Sequence, residues 1–247
     1  MIWILLVIVL IWWLLRSYHS TVARMNGAKQ DYQSALTHWG AAYRKKPDQN
    51  KGIQYGYLLL RSGDFETSEQ IFNEVLQMEK LTEQNRLQVE MMLGLVAWKK
   101  GNSDDAIRIY EELHKQGENT VIYANLGFLY LLRDKAEDVL PFLQQAYEYN
   151  DTNPGIVDNL AECYIRTEQW DKAEELLEKA VKFPQPIAEN YYHYAVVLEH
   201  NKEYDEALSY YQKAEKMDLN VLSGLNCEEI QNKIEQLEEL IENEEEV

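Results

Sequence analysis

The polar and apolar positions of this chain repeat as blocks. Small residues stand at Gly56, Gly94, Gly127, Ala161 and Ala195, separated by 38, 33, 34 and 34 positions. Twelve positions after each comes a second small or compact residue, Ser68, Ala106, Val139, Ala173 and Ala207. Four further on stands a bulky apolar one, Phe72, Tyr110, Leu143, Leu177 and Tyr211. Polar turn residues such as Gly63 and Asp64, or Lys100, Gly101 and Asn102, fall between the two sets. A fixed period near 34 residues marks a stack of helical hairpins. Two antiparallel helices approach closely where one offers a small residue and the other inserts a large one, and each hairpin needs neighbours to cover its remaining apolar face. The pattern predicts an all-α solenoid.

Its spacing resembles that of the tetratricopeptide repeat family, whose hairpins carry a small and then a Tyr-like residue in the first helix and alanine, an aromatic residue and alanine in the second. In that register repeats begin at Gln49, Leu87, Thr120, Pro154 and Ala188, with Tyr130 and Tyr164 in the first helices and Ala146, Ala180 and Ala214 late in the second. The resemblance covers residues 30–220 and implies a right-handed solenoid that binds proteins; it names no pathway. Five repeats are expected over 49–221. Residues 24–48 read as a basic neck with a degenerate first repeat, because Tyr32, Ala35, Trp39, Ala42 and Pro47 keep the spacing of a second helix. The interval from Gly56 to Gly94 is four residues too long, and the surplus near 83–86 predicts a lengthened helix. Residues 222–247 read as a cap and an acidic tail. There Ile230, Ile234, Leu237 and Ile241 form one apolar stripe. Fewer than two heptads is short for a coiled coil, so a helix covering the last repeat is expected.

The first residues follow another rule. Residues 1–15 read MIWILLVIVLIWWLL, without a charge, and stop at Arg16. At ~1.5 Å per residue this run gives roughly 22 Å of helix against roughly 30 Å of hydrocarbon, so a span would extend to residue 23. Trp3, Trp12, Trp13 and Arg16 are its expected membrane contacts, the arginine reaching for the interface. A cleaved signal peptide is the competing reading; no basic residue precedes the run, and the stretch ending at Ala23 is a poor cleavage site. Basic residues follow the run and none precedes it, which predicts a single-pass inner or plasma membrane protein with its body in the cytoplasm. Residues 1–46 hold six Lys/Arg against Asp31 alone, whereas residues 47–247 hold 18 basic and 41 acidic residues. A body so acidic repels nucleic acid and anionic lipid.

Chemistry is sparse. The five histidines, His19, His38, His114, His193 and His200, are scattered, and Cys163 and Cys227 match no metal or redox spacing. Glu189, His193 and His200 share a helical face, a faint cation signal that a solvated surface also explains. No glycine-rich phosphate loop and no basic aromatic surface is present. No catalytic residue, metal, cofactor or small-molecule substrate is expected, and no nucleic acid.

The resemblance implies a concave groove lined by first helices. Its positions fall here on Ile53, Tyr57, Arg61, Met91, Leu95, Trp98, Phe128 and Leu131, and further along on Asp158 and Glu162. The aromatic part is either a groove for a peptide or helix of another protein, or ordinary core. Some relatives clamp a terminal carboxylate with Lys and Asn, a combination missing at the matching positions here. The chain is therefore expected to be a membrane-tethered scaffold with protein partners. The alternative is an anchored chaperone or assembly factor outside the cytoplasm.

Overall fold

The computed structural model describes residues 32–245 apart from 218 and 220. The proposed membrane segment, with Trp3, Trp12, Trp13 and Arg16, lies outside the described residues. Among the described residues no helix is long and apolar enough to cross a membrane, and none is a strand.

Helix α1 covers residues 32–45. Five hairpins follow: α2 (Gln49–Ser62) with α3 (Phe65–Leu76), α4 (Glu83–Lys99) with α5 (Ser103–Gln116), α6 (Thr120–Arg133) with α7 (Ala136–Tyr149), α8 (Pro154–Arg166) with α9 (Trp170–Ala180), and α10 (Ala188–His200) with α11 (Tyr204–Glu215). Helix α12 (Cys227–Glu245) closes the stack against α11.

Local chemistry sets the ends. Asp48, Asp64, Thr82, Asn119 and Asn153 each cap a helix by accepting a hydrogen bond from a first-turn backbone N–H, which satisfies a donor the helix itself cannot. Pro154 opens α8, where its missing N–H costs nothing. Gly63 ends α2 at φ 85°, a left-handed conformation that favours glycine.

Packing within each hairpin uses the small-to-large pairs. A Cβ added at Gly56 would lie 2.6 Å from the Phe72 ring, one at Gly94 2.6 Å from Tyr110, and one at Gly127 2.7 Å from Leu143. Ala161, Leu177, Ala195 and Tyr211 are fully buried in the later hairpins. The apolar core runs as a series of clusters along the stack, the last of which spans from Leu131 to Leu237. Such a stack gains its stability from contacts between neighbours. Four of the first helices begin at Gln49, Thr120, Pro154 and Ala188. The remaining one, α4, begins at Glu83 and runs 17 residues against 13 or 14 for the others, so the surplus residues form an extra turn at its N-terminus. In α12, Ile230, Ile234 and Leu237 are buried and join the cluster that holds Ala207, Tyr211 and Ala214.

Candidate functional site

First helices from successive hairpins pack side by side, α2 on α4, α6 on α8 and α8 on α10. Their inner faces bound a cavity of about 530 Å³ that stretches from Tyr57 in the first hairpin to Glu229 in α12. A smaller hollow of about 280 Å³ lies on α12 among polar side chains and carries no comparable apolar lining.

One end of the cavity is apolar. Tyr57, Leu95, Trp98, Phe128 and Leu132 line it. Trp98 and Phe128, from α4 and α6, meet edge to face at 4.9 Å. Both are half-buried, with one side against the core and the other toward the cavity. Lys99 lays its ammonium 3.6 Å from the Trp98 ring centre, a cation–π contact. Burial holds the Lys99 amine below its ordinary pKa, with Glu189 pulling the other way.

The other end is polar, and most of its groups already have partners. His193 Nδ1 stands 3.1 Å from both Asp158 carboxylate oxygens, and Asn190 donates to the same carboxylate. Burial disfavours a His193 cation, but the charge and hydrogen bond of Asp158, with Glu162 and Glu189 nearby, outweigh it and raise its pKa to about 9. Burial pushes the Asp158 carboxyl up, and His193 draws it back. Arg166 donates to Glu162 and to the Leu131 carbonyl. Ligand atoms of Asp158, Glu162 and His193 lie within 4.8 Å of one another. Each is engaged by a neighbouring side chain: the Asp158–His193 pair joins α8 to α10, the Glu162–Arg166 pair lies within α8, and the Arg166 hydrogen bond to the Leu131 carbonyl joins α8 to α6.

Of the residues expected in the groove, Tyr57, Leu95, Trp98, Phe128, Asp158 and Glu162 line the cavity. Ile53, Met91 and Leu131 do not; they are 3%, 9% and 1% exposed and belong to the core clusters. They share those clusters with second-helix residues: Ile53 with Phe72 and Val75, Met91 with Ala106 and Tyr110, and Leu131 with Val139 and Leu143. Arg61 lies away from the cavity lining, 5.9 Å from the Tyr32 ring of α1. The face shared by Glu189, His193 and His200 splits into three contacts: Glu189 meets Ser223, His193 meets Asp158, and His200 stacks on Trp170 at 3.8 Å.

One occupant of the cavity has no signal in the repeat pattern. Leu222, Gly224 and Leu225, from the chain between α11 and α12, line it too.

Models of the tetratricopeptide repeat match residues 54–119, 130–188 and 188–221. No curated protein sequence matches the chain. Among solved structures, the APC/C hetero-tetramer Cut9–Hcn1 is similar at a TM-score of 0.67 and 14% identity, over 85% of this chain and 40% of that one. TTC0263, a thermophilic TPR protein in Thermus thermophilus, is similar at 0.60 and 17%, over 77% and 98%. A tetratricopeptide repeat protein from Parabacteroides merdae is similar at 0.50 and 16%, over 85% and 93%. At these identities the likeness is one of fold.

Proposed function

Because this chain belongs to the tetratricopeptide repeat family, we infer that it is a protein–protein interaction scaffold whose concave groove grips an extended segment of a partner. The observation that carries this reading is the half-buried Trp98–Phe128 pair on the cavity wall. Rigid aromatic side chains with one face against core and one toward a cavity are the usual anchors of an interface. Polar groups at the far end orient what the aromatic end holds. The reading is one of binding.

The finer proposal is that residues 1–23 tether this scaffold to the inner or plasma membrane with the repeats in the cytoplasm. The uncharged run and the basic residues that follow it support this. A tether raises the effective concentration of a partner at the same surface, so a weak groove suffices.

The test of the groove is Trp98→Ala combined with Phe128→Ala in quantitative capture of partners from solubilised membranes. Capture is expected to weaken by about 2 kcal/mol or more, with the fold retained. If the two side chains serve as core, each loss costs about 3 to 5 kcal/mol of stability instead. Capture unchanged with the fold intact would remove the groove from consideration.

A further inference from the structure

Residues 222–225, between α11 and α12, lie over the concave face, and their contacts reach the second hairpin. Lys99 of α4 donates to the Ser223 carbonyl at 3.4 Å, across 124 residues of sequence. The Ser223 hydroxyl donates to Glu189 Oε1 at 2.7 Å, and the Gly224 backbone N–H donates to the same oxygen at 3.1 Å. Leu222 packs on the cluster that holds Val89 and Val96, and Leu225 on the one that holds Ile230. A Cβ at Gly224 would stand 3.0 Å from the Phe128 ring. Gly224 is not among the described glycines with positive φ, so closeness to that ring, not backbone conformation, is what suits glycine there.

These contacts are those of a bound peptide. Groove side chains match a backbone acceptor, a backbone donor and a hydroxyl, and two leucines are half-buried at either end. Residues 222–225 form no helix or strand of their own. They are held by contacts to the groove and by α12, whose buried stripe fixes their far end. We propose that residues 222–225 are an internal ligand of the groove, displaced when an extended segment of a partner protein with the same succession of apolar, hydroxyl, glycine and apolar residues binds there. This rests on the groove reading above. With Asp158 paired to His193 and Glu162 to Arg166, the remaining carboxylates Glu189 and Glu229 outnumber the nearby cation Lys99, so the partner segment is neutral or basic.

A site occupied by its own chain weakens any competitor by the fraction of time it is closed. The probe is a fluorescein-labelled peptide Val-Leu-Ser-Gly-Leu-Asn, the sequence of residues 221–226, titrated against the full-length chain by anisotropy. Leu222→Asp with Gly224→Val removes the apolar anchor and places a side chain against Phe128, while every first-helix residue stays intact. Gly224→Val alone is the milder version should the pair disturb folding. The opened chain is expected to bind the peptide at least about tenfold tighter than the wild type, and adding Trp98→Ala to the opened chain is expected to abolish the gain. Equal binding by wild-type and opened chains, no binding by either, or a gain that survives Trp98→Ala each overturns the proposal. The groove reading falls on a different result, partner capture that ignores Trp98 and Phe128.

Discussion

His193 and Asp158 meet at 3.1 Å with side-chain exposures of 13% and 5%, so their charges feel each other with little water between. The His193 pKa, raised from 6.5 to about 9, means that the folded chain holds a proton which the unfolded chain releases near neutrality. The stabilisation is complete below about pH 6.5 and disappears as pH rises through about 9. The melting temperature of the wild type should fall over that window, and His193→Gln should flatten the fall; an unchanged slope would mean that the pair is not coupled. The contact was half-legible in the sequence. Asp158 and His193 lie 35 positions apart, as do Asn159 and the Ala124 carbonyl, and Arg166 and the Leu131 carbonyl. One period plus one residue is the offset at which neighbouring first helices touch, and a polar pair at that offset is the signal to look for. Ile53, Met91 and Leu131 could not be placed in this way. An apolar residue on a first helix suits the groove and the hairpin interior equally, and only the rotation of the helix decides between them.

For the helices themselves, the small-to-large pairing was readable because it has a steric cause. Gly94→Ala tests it. Alanine gains about 1 kcal/mol of helix propensity over glycine, but the new Cβ would lie 2.6 Å from the Tyr110 ring. That ring is buried and its hydroxyl is tied to the Met91 carbonyl and to Asn125, so it has nowhere to move. A net loss of about 1 to 3 kcal/mol is expected on thermal or denaturant melting. Gly155→Ala is the contrast, since its Cβ would meet nothing nearer than 3.5 Å, and it should be neutral or slightly stabilising. Equal effects at the two glycines would refute the packing argument. The longer α4 was visible in the widened interval from Gly56 to Gly94, because a solenoid absorbs surplus residues only by extending a helix or a turn. The course of residues 222–225 was not visible. Non-periodic segments are placed by their contacts with distant residues, and sequence spacing carries none of that information.

At the scale of the molecule, the proposed topology, with the repeats in the cytoplasm behind the basic neck, can be measured through the cysteines. Cys227 is exposed. Cys163 is buried, donates to the Ala136 carbonyl, and has its thiol pushed up to about 11 by burial. A membrane-impermeant thiol reagent should therefore report on Cys227 alone: no labelling in intact cells and full labelling after lysis. Labelling without lysis would place the repeats on the outside, as the chaperone alternative requires. The long reach of Lys99 to Ser223 also bears on mechanics. A solenoid bends through small rotations shared among all its interfaces, and this tie joins its second hairpin to the chain beyond its fifth, like the string across a bow. While it holds, it opposes any straightening that would carry the second hairpin away from residue 223, and its release would remove that one restraint on the bend.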